Sequence, residues 1–205
     1  MTLLDCFALD RKERGAEAGS PGRIFLRLLT VPGDRVVVYY RFACYLRRLR
    51  HPRRITNVLA AILLARLSRV PGVELGTQQE IGPGISFPHP HDIVVGHGAI
   101  IGKRVTIYNG VTLGARQQHA KDTVKDKASR YPTIEDDVTL FSGAKILGPI
   151  RIGHHSTVGA NAVVLQSFPP HSNLVGVPAR NLTAGENPGT AATAIAGDLI
   201  HTPHG

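Results

Sequence analysis

The sequence predicts a mainly β protein: a β-solenoid of hexapeptide repeats with a short N-terminal helical region. Three observations favour this fold class. An apolar side chain recurs at every sixth residue, glycine often follows it, and a small or branched residue recurs four positions later. The period holds in three series: Leu75, Ile81, Phe87 and Ile93; then Val95, Ile101, Ile107 and Leu113; then Ile134, Leu140, Ile146, Ile152, Val158 and Val164. A six-residue period fits neither a helix nor a simple strand, but it suits short strands joined by tight corners.

Each repeat is expected to add one inward side chain to a common core. Glycine is expected at the corners because it tolerates backbone angles that other residues do not. The alternative, an α/β domain with short buried strands, requires helical periodicity between the strands, and none is present. The stretch from Gly96 to Gly102 resembles a dinucleotide-binding loop, but two consecutive repeats explain it better.

The regions on either side of the repeats lack the period. We predict an N-terminal helical region at residues 1–70, a β-helix domain at 71–183 and a flexible tail at 184–205. The helical prediction depends on apolar faces at 3.6-residue spacing, formed by Tyr40, Phe42, Leu46 and Leu49 and then by Ile55, Val58, Leu59, Ile62 and Leu63. The tail is small, polar and without periodicity.

Two interruptions break the period inside the β-helix domain. In solenoid proteins, functional residues are expected at such interruptions of the repeat. The first is a two-residue slip at Pro88-His89-Pro90-His91-Asp92. The second is the charged segment from Gly114 to Thr133, which is expected to leave the wall as a loop.

Charge and cysteine content narrow the function class. The formal net charge of +9 and the pI near 10.1 favour an anionic partner. No aromatic-basic motif indicates nucleic acid, so no nucleic-acid partner is predicted. Cys6 and Cys44 form no metal spacing and are expected to be reduced thiols. No signal peptide or bilayer-length apolar run is present, so a cytoplasmic protein without membrane insertion is predicted.

Three segments together resemble bacterial serine O-acetyltransferases and their shorter relatives from polysaccharide gene clusters. These segments are GISFPHPHDIVVGHGAIIGKRVTIYNGVTLGA, YPTIEDDVTLFSGAKILGPIRIG and NAVVLQSFPPHSNLVGVPAR. The resemblance implies a left-handed parallel β-helix with hexapeptide repeats. It also implies a homotrimer with active sites between subunits, and acetyl-CoA as the acetyl donor.

The resemblance places the catalytic base on His89 and its carboxylate partner on Glu74, where the family usually has Asp. Acetyl transfer to a hydroxyl needs a base that removes the proton as the oxygen attacks, and histidine suits that task. The alternative is a structural histidine between two prolines. We favour catalysis because the slip in the period coincides with His89.

Acceptor and donor contacts are also assigned by resemblance. Acceptor contacts are expected from His91, Asp92, Arg130 and Tyr131. Serine-specific members of the family have Asp immediately before the catalytic histidine and His at the position of Tyr131, whereas this chain has Pro88 and Tyr131. The expected donor contacts are Gly114, Ala115, Gly143, Ala144, Lys145, Pro178, Ala179 and Arg180.

The sequence therefore predicts an acetyl-CoA-dependent O-acetyltransferase with L-serine as acceptor, and a sugar hydroxyl is the alternative acceptor. The N-terminal region is short for the family, so a lone trimer is expected, and the C-terminus makes a complex with O-acetylserine sulfhydrylase doubtful. A zinc hydratase of the same architecture needs an H-x4-H pair, which is missing, so no metal is predicted. A membrane-surface scaffold without catalytic activity is the most distant alternative.

Overall fold

The computed structural model describes residues 10, 12, 31–48, 58, 59, 62, 72–75, 79–116 and 130–184. The long helix in this part of the chain is α1, Pro32–Arg48. The strands are β1 Val73–Leu75, β2 Glu80–Ile81, β3 Ile93–Val95, β4 Ile100–Ile101, β5 Thr106–Ile107, β6 Thr112–Gly114, β7 Thr133–Ile134, β8 Thr139–Leu140, β9 Lys145–Leu147, β10 Arg151–Ile152, β11 Thr157–Val158, β12 Val163–Val164, β13 Asn173–Val175 and β14 Arg180–Asn181. A short 3-10 helix, Leu182–Ala184, follows β14. The predicted tail beyond residue 184 and positions 117–129 of the predicted loop lie outside the described residues.

The strands form three sheets. Sheet A has the order β1-β3-β6-β9-β12, sheet B the order β10-β7-β4-β2 and sheet C the order β14-β13-β11-β8-β5. Neighbouring strands are parallel, except that β14 runs antiparallel to β13. The chain passes from sheet C to A to B and back to C, so each turn of the β-helix has three corners: corner C/A, corner A/B and corner B/C.

The core is the stack of side chains that the six-residue period predicts. All fourteen positions of the three series are buried, and Ile107, Leu113, Leu140, Ile146 and Ile152 are fully inaccessible. The second series of small or branched residues is buried as well: Ala99, Val105, Val111, Val138, Ala144, Ile150, Ser156 and Ala162. Burying one aliphatic side chain of this size contributes about 1.5–3 kcal/mol, so the stack supplies most of the driving force.

The glycines that follow the core residues have a different role from the one predicted. Gly102 and Gly153 do not have positive φ angles. A β-carbon would lie 2.7 Å from the backbone nitrogen of Asp136 at Gly102, and 2.2 Å from that of Pro170 at Gly153. These glycines are needed because the next turn of the chain passes too close for a side chain. Left-handed backbone angles occur at other positions of the corners, for example at Gly110 and Gly143, whose φ angles are 71° and 75°.

Helix α1 packs against the first turns of the β-helix. Pro32 begins the helix and Asp34 lies in its first turn, as helix starts favour. Val36, Val37, Tyr40 and Ala43 are buried on its inner face, and the Tyr40 hydroxyl donates to the Gln79 carbonyl oxygen at 3.0 Å. The helix therefore shields the start of the stack from water, as terminal repeats of a solenoid require.

A buried ion pair fixes α1 to the first turn. Arg41 Nε donates to Asp10 Oδ2 at 2.8 Å, and its two terminal nitrogens donate to the carbonyls of Ile81 at 2.7 Å and Gly82 at 2.6 Å. Asp10 also accepts from the Gly84 backbone N–H at 2.7 Å. Burial disfavours the charged guanidinium, but the hydrogen bond and charge of Asp10 outweigh it and raise the pKa of Arg41. The guanidinium is thus a permanent cation that links the helix to the β-helix.

No helix among the described residues has the length and apolar character needed to cross a membrane.

Candidate active site

The predicted slip is an insertion of two residues into the first corner C/A. Ser86 pairs with Thr106, and Val94 pairs with Thr112. Eight positions of the first turn therefore cover the same distance as six positions of the next turn. The two extra residues form a bulge on the surface of the β-helix, and His89 lies within this bulge. The interruption of the six-residue period is therefore a bulge in the structure, and the bulge exposes the imidazole of His89.

The bulge holds His89 at the surface. Its carbonyl oxygen accepts from the His91 backbone N–H at 2.9 Å, which closes a tight turn around buried Pro90. The His89 side chain is exposed, and its ring centroid lies 6.3 Å from that of Tyr108. The imidazole therefore leans toward the later turns of the β-helix and is accessible to a ligand.

Glu74 lies at the centre of β1 on the outer surface of sheet A. It pairs with Val94 in β3, the strand that follows the bulge, and it is exposed. Within the described residues no hydrogen bond joins Glu74 to His89. The two groups share one region of the surface, and their pairing as a catalytic dyad stays a prediction.

His91 and Asp92 are both exposed at the end of the bulge. Asp92 has a left-handed backbone with φ of 54°. A β-carbon at Gly72 would lie 2.4 Å from Asp92 Oδ1, so the carboxylate leans over the preceding turn. This direction is opposite to the one in which the His89 ring leans.

Arg130 and Tyr131 lie at corner A/B, just before β7. The Tyr131 ring packs against Gly96, where a β-carbon would lie 2.0 Å from Tyr131 Cε1. His89 is at corner C/A, so the width of sheet A separates it from this pair within one chain. The structure of a single chain therefore does not bring the predicted acceptor residues Arg130 and Tyr131 to the predicted base.

Several predicted donor residues line the same corner as His89. Gly143 is two turns further along corner C/A, and its N–H donates to the Asn109 carbonyl at 2.8 Å. Lys145 begins sheet A beside it, with Nζ donating to the Gly110 carbonyl at 2.5 Å and to Thr112 Oγ1 at 3.1 Å. Ala144 is fully buried, so its side chain belongs to the core below this surface.

The remaining donor residues lie at two other places. Gly114 ends β6 and Ala115 is exposed beyond it, both at the edge of corner A/B. Pro178 and Arg180 are exposed after β13, at the last turn of the β-helix, while Ala179 between them is buried. The Ala179 N–H donates to the Val163 carbonyl at 2.8 Å, so this segment folds back over corner C/A. His89, Gly143 and Pro178 thus lie along a single corner of the β-helix.

The sequence analysis missed two aromatic residues on this corner, Tyr108 and Phe141. Their rings stack with centroids 5.3 Å apart and planes inclined by 17°. Each directly follows an inward core residue, Ile107 or Leu140, at the position that glycine occupies in half of the repeats. An aromatic residue at a glycine position of the repeat is the signal that could have found them.

A cluster of three histidines lies on corner B/C, away from His89. The ring centroids of His154, His155 and His171 are 5.2 Å apart in each pair. Next to them, Arg104 donates two hydrogen bonds to Asp137, and these bonds hold the pKa of the carboxyl below its ordinary value of 3.8. Among the described residues, no group of three or more His, Cys, Asp or Glu side chains is arranged to hold a metal ion.

Comparison with known proteins identifies the family. Residues 131–166 match the family model described as bacterial transferase hexapeptide (six repeats). A serine acetyltransferase of Helicobacter pylori strain J99 is 39% identical over 157 residues, which are 76% of this chain and 84% of that protein. A serine acetyltransferase of Synechococcus elongatus is 38% identical over 154 residues, covering 75% of this chain. The chain belongs to the serine acetyltransferase family. It spans only 58% of the length of the Synechococcus relative.

Solved structures of the serine acetyltransferase family share the fold. The Neisseria gonorrhoeae serine acetyltransferase in complex with serine superposes with a TM-score of 0.68 at 30% identity, covering 87% of this chain and 68% of that one. A serine acetyltransferase in complex with CoA gives a TM-score of 0.68 at 32% identity, covering 87% of this chain and 69% of that one. The predicted family and the predicted left-handed parallel β-helix are confirmed.

Proposed function

We propose that the chain is an acetyl-CoA-dependent O-acetyltransferase whose acceptor is L-serine, with His89 as the general base. The observation that carries the proposal is the two-residue bulge, which presents His89 at the surface of corner C/A, in line with the predicted donor residues Gly143 and Pro178. Membership of the serine acetyltransferase family supports the acetyl transfer. The relatives solved with serine and with CoA support the choice of acceptor and donor.

His89 removes the proton from the acceptor hydroxyl as the oxygen attacks the thioester carbonyl. The tetrahedral intermediate then collapses, the carbon–sulfur bond breaks, and the imidazolium returns the proton to the CoA sulfur. Acetyl is transferred directly between the two substrates. A covalent acyl-cysteine is not required, and Cys44 lies in α1 rather than on corner C/A.

Glu74 is the proposed partner of His89. A carboxylate close to the imidazole selects the tautomer that can accept the proton and stabilises the cation that forms. For the donor, Lys145 is an ammonium group already held in place beside Gly143. Arg180 is an exposed cation at the last turn of the β-helix, and both cations suit the phosphates of CoA.

The proposed active assembly is a homotrimer. Arg130 and Tyr131 lie across sheet A from His89, so a site that uses all three residues requires a second copy of the chain. In such an assembly corner C/A of one subunit faces corner A/B of its neighbour. A cytoplasmic location and a metal-independent reaction complete the proposal.

The test is release of CoA from acetyl-CoA with L-serine, measured for the wild type, His89→Ala and Glu74→Gln. Removing the base is expected to lower kcat by about 100- to 10,000-fold. Glu74→Gln is expected to lower kcat less, because it removes a partner of the base and not the base itself. His155→Asn, which replaces an exposed histidine at corner B/C, away from both corners of the proposed site, is the matched control and should retain full activity.

Two results would contradict the proposal. Undiminished turnover by His89→Ala would mean that another group is the base. No CoA release by the wild type with serine would exclude serine as acceptor. Metal analysis of the active protein tests the metal-independent reaction, since stoichiometric zinc would revive the hydratase alternative.

A further inference from the structure

The amino end of helix α1 contacts the last residue before the bulge. Gly33 is buried in the first turn of α1. A β-carbon at Gly33 would lie 2.1 Å from the carbonyl oxygen of Phe87 and 3.0 Å from its carbonyl carbon. Both atoms belong to the backbone, so no side-chain rotation could make room for a β-carbon. Only glycine therefore lets α1 approach Phe87 as closely as it does.

The start of the bulge lacks a hydrogen bond that later turns have. In sheet C the residue after each core residue donates its N–H to the carbonyl of the next turn: Tyr108 to Leu140 at 3.0 Å, Phe141 to Val158 at 2.9 Å and Gly159 to Leu174 at 2.7 Å. The matching residue of the first turn is Pro88, which has no N–H to donate. The bulge therefore begins without this attachment to the second turn.

Backbone hydrogen bonds to the second turn are present on both sides of this segment. The Ser86 carbonyl accepts one at 2.9 Å, and the His91 carbonyl accepts one at 2.8 Å. Within the described part of the chain, no backbone hydrogen bond joins residues 87–90 to the second turn. These residues are held instead by the buried side chains of Phe87 and Pro90 and by the contact of Phe87 with α1.

The segment from Phe87 to Pro90 is also stiff. The rings of Pro88 and Pro90 fix their own φ angles, and each proline restricts the residue before it to extended conformations. Phe87 and His89 are those preceding residues. All four backbone positions are thus restricted, so a displacement of Phe87 is transmitted to His89.

Helix α1 is anchored more firmly than the bulge. Arg41 binds Asp10 and two carbonyls of the first turn, and the Tyr40 hydroxyl binds a third carbonyl. These anchors lie about 10–12 Å along the helix axis from Gly33. An ordinary contact begins near 3.4 Å, so a β-carbon at Gly33 would force a movement of about 1 Å. The bulge, which has fewer attachments than the helix, is the part that would move.

We propose that Gly33 is a positioning residue for His89. Gly33 touches no substrate and acts through Phe87 and Pro88, which determine where the bulge leaves sheet C. The inference rests on the proposed function, because it concerns the general base named there. Misplacement of a reacting group by about 1 Å costs about 100-fold in rate. The missing side chain of Gly33 is therefore needed for catalysis and not only for packing.

The test is the CoA-release assay with the full chain and L-serine, for the wild type, Gly33→Ala and Ala43→Val. Ala43→Val is the matched control, because Ala43 is fully buried on α1 and the larger side chain crowds the same helix. Its position is about 15 Å along the helix axis from Gly33. Sucrose in every sample keeps the folded state populated, and circular dichroism verifies that each variant is folded.

Gly33→Ala is expected to lower kcat by about 10- to 100-fold, because the base is displaced. The KM values for serine and acetyl-CoA should stay within about twofold, since the base acts in the transition state. Ala43→Val should keep kcat within about twofold of the wild type.

A second comparison separates positioning of His89 from a general distortion of the site. Gly33→Ala is also introduced into His89→Ala, and the residual CoA release is measured. If Gly33 acts through His89, the residual rate should change by less than about twofold. Nuclear magnetic resonance gives a direct readout. The Cε1–H signal of His89, identified by its absence from His89→Ala, should shift in Gly33→Ala and stay in place in Ala43→Val.

Four outcomes would overturn the inference: undiminished kcat in Gly33→Ala, an equal loss of kcat in Ala43→Val, the same loss factor with and without His89, or an unshifted His89 signal. Failure of the proposed function gives a different pattern. In that case the wild type releases no CoA with serine, or His89→Ala is as active as the wild type.

Discussion

At the residue scale, single positions of the repeat decide what the surface presents. Half of the fourteen core residues are followed directly by glycine, and at Gly102 and Gly153 the next turn leaves no room for a side chain. At the same position of the repeat, Tyr108 and Phe141 instead carry aromatic rings, on the corner where two inserted residues expose His89. An insertion and two aromatic residues therefore lie around one imidazole, and such local departures are expected at a functional site on a regular scaffold.

The ion pair between Arg104 and Asp137 allows a prediction about stability. Replacement by Asp137→Asn is expected to lower the free energy of unfolding at pH 7 by about 0.5–1 kcal/mol, because the pair is only partly shielded from water. Urea unfolding at low and high salt measures this, and the loss should shrink at high salt. Glu80→Gln, at the exposed position of β2, is the control and should have no effect.

The same pair sets a pH dependence. The hydrogen bonds from Arg104 lower the pKa of Asp137 in the folded protein below 3.8. The stabilisation is therefore fully present above the unfolded pKa and is lost as the pH falls through the lower folded pKa. The difference in stability between wild type and Asp137→Asn should vanish in that acid range, and a constant difference down to pH 2 would contradict this account.

At the element scale, α1 stabilises a fold that would otherwise expose its first turn. The helix supplies apolar side chains to the end of the stack, and Gly33 lets its backbone approach Phe87, where a β-carbon would lie 2.1 Å from the carbonyl oxygen. Phe87 precedes the bulge by one residue, so the helix also borders the segment that carries His89.

Arg41→Ala tests this role of the helix. The change leaves the Asp10 carboxylate and the carbonyls of Ile81 and Gly82 without the guanidinium, and we expect the free energy of unfolding to fall by about 3 kcal/mol. Chemical denaturation followed by circular dichroism measures it. Phe42→Ala on the exposed face of α1 is the control and should cost less than about 1 kcal/mol. Equal losses in the two variants would mean that the ion pair does not link the elements.

At the scale of the whole molecule, the β-helix separates the proposed catalytic groups onto different corners. His89 and the donor contacts follow corner C/A, whereas Arg130 and Tyr131 lie on corner A/B. A rigid solenoid cannot bend to bring two corners together, so the proposed site is completed only by association of copies.

Mixing of inactive variants tests the shared site. We expect sedimentation at three times the chain mass of 22.0 kDa. His89→Ala and Arg130→Ala should each be inactive with serine, and co-expression of both should restore measurable activity, because some interfaces then combine an intact His89 with an intact Arg130. A monomer, or co-expressed variants that stay inactive, would contradict the trimer with shared sites.

The sequence by itself determined the period, the core positions, the family and the place where the wall is interrupted. These features are local, since each turn of a solenoid contacts only its neighbours and repeats the same spacing. All fourteen predicted core residues are buried for this reason, and the slip at residues 88–92 is a bulge for the same reason.

Only the tertiary structure decided which side chains meet across the turns. Tyr108 and Phe141 stack although they are 33 positions apart in the sequence, and Asp10 pairs with Arg41 of α1. The sequence also did not reveal why glycine is required at Gly102 and Gly153. The requirement comes from the short distance to the next turn of the chain and not from a local backbone angle. Contacts between distant residues depend on the register in which successive turns pair, and the spacing within one repeat carries no information about that register.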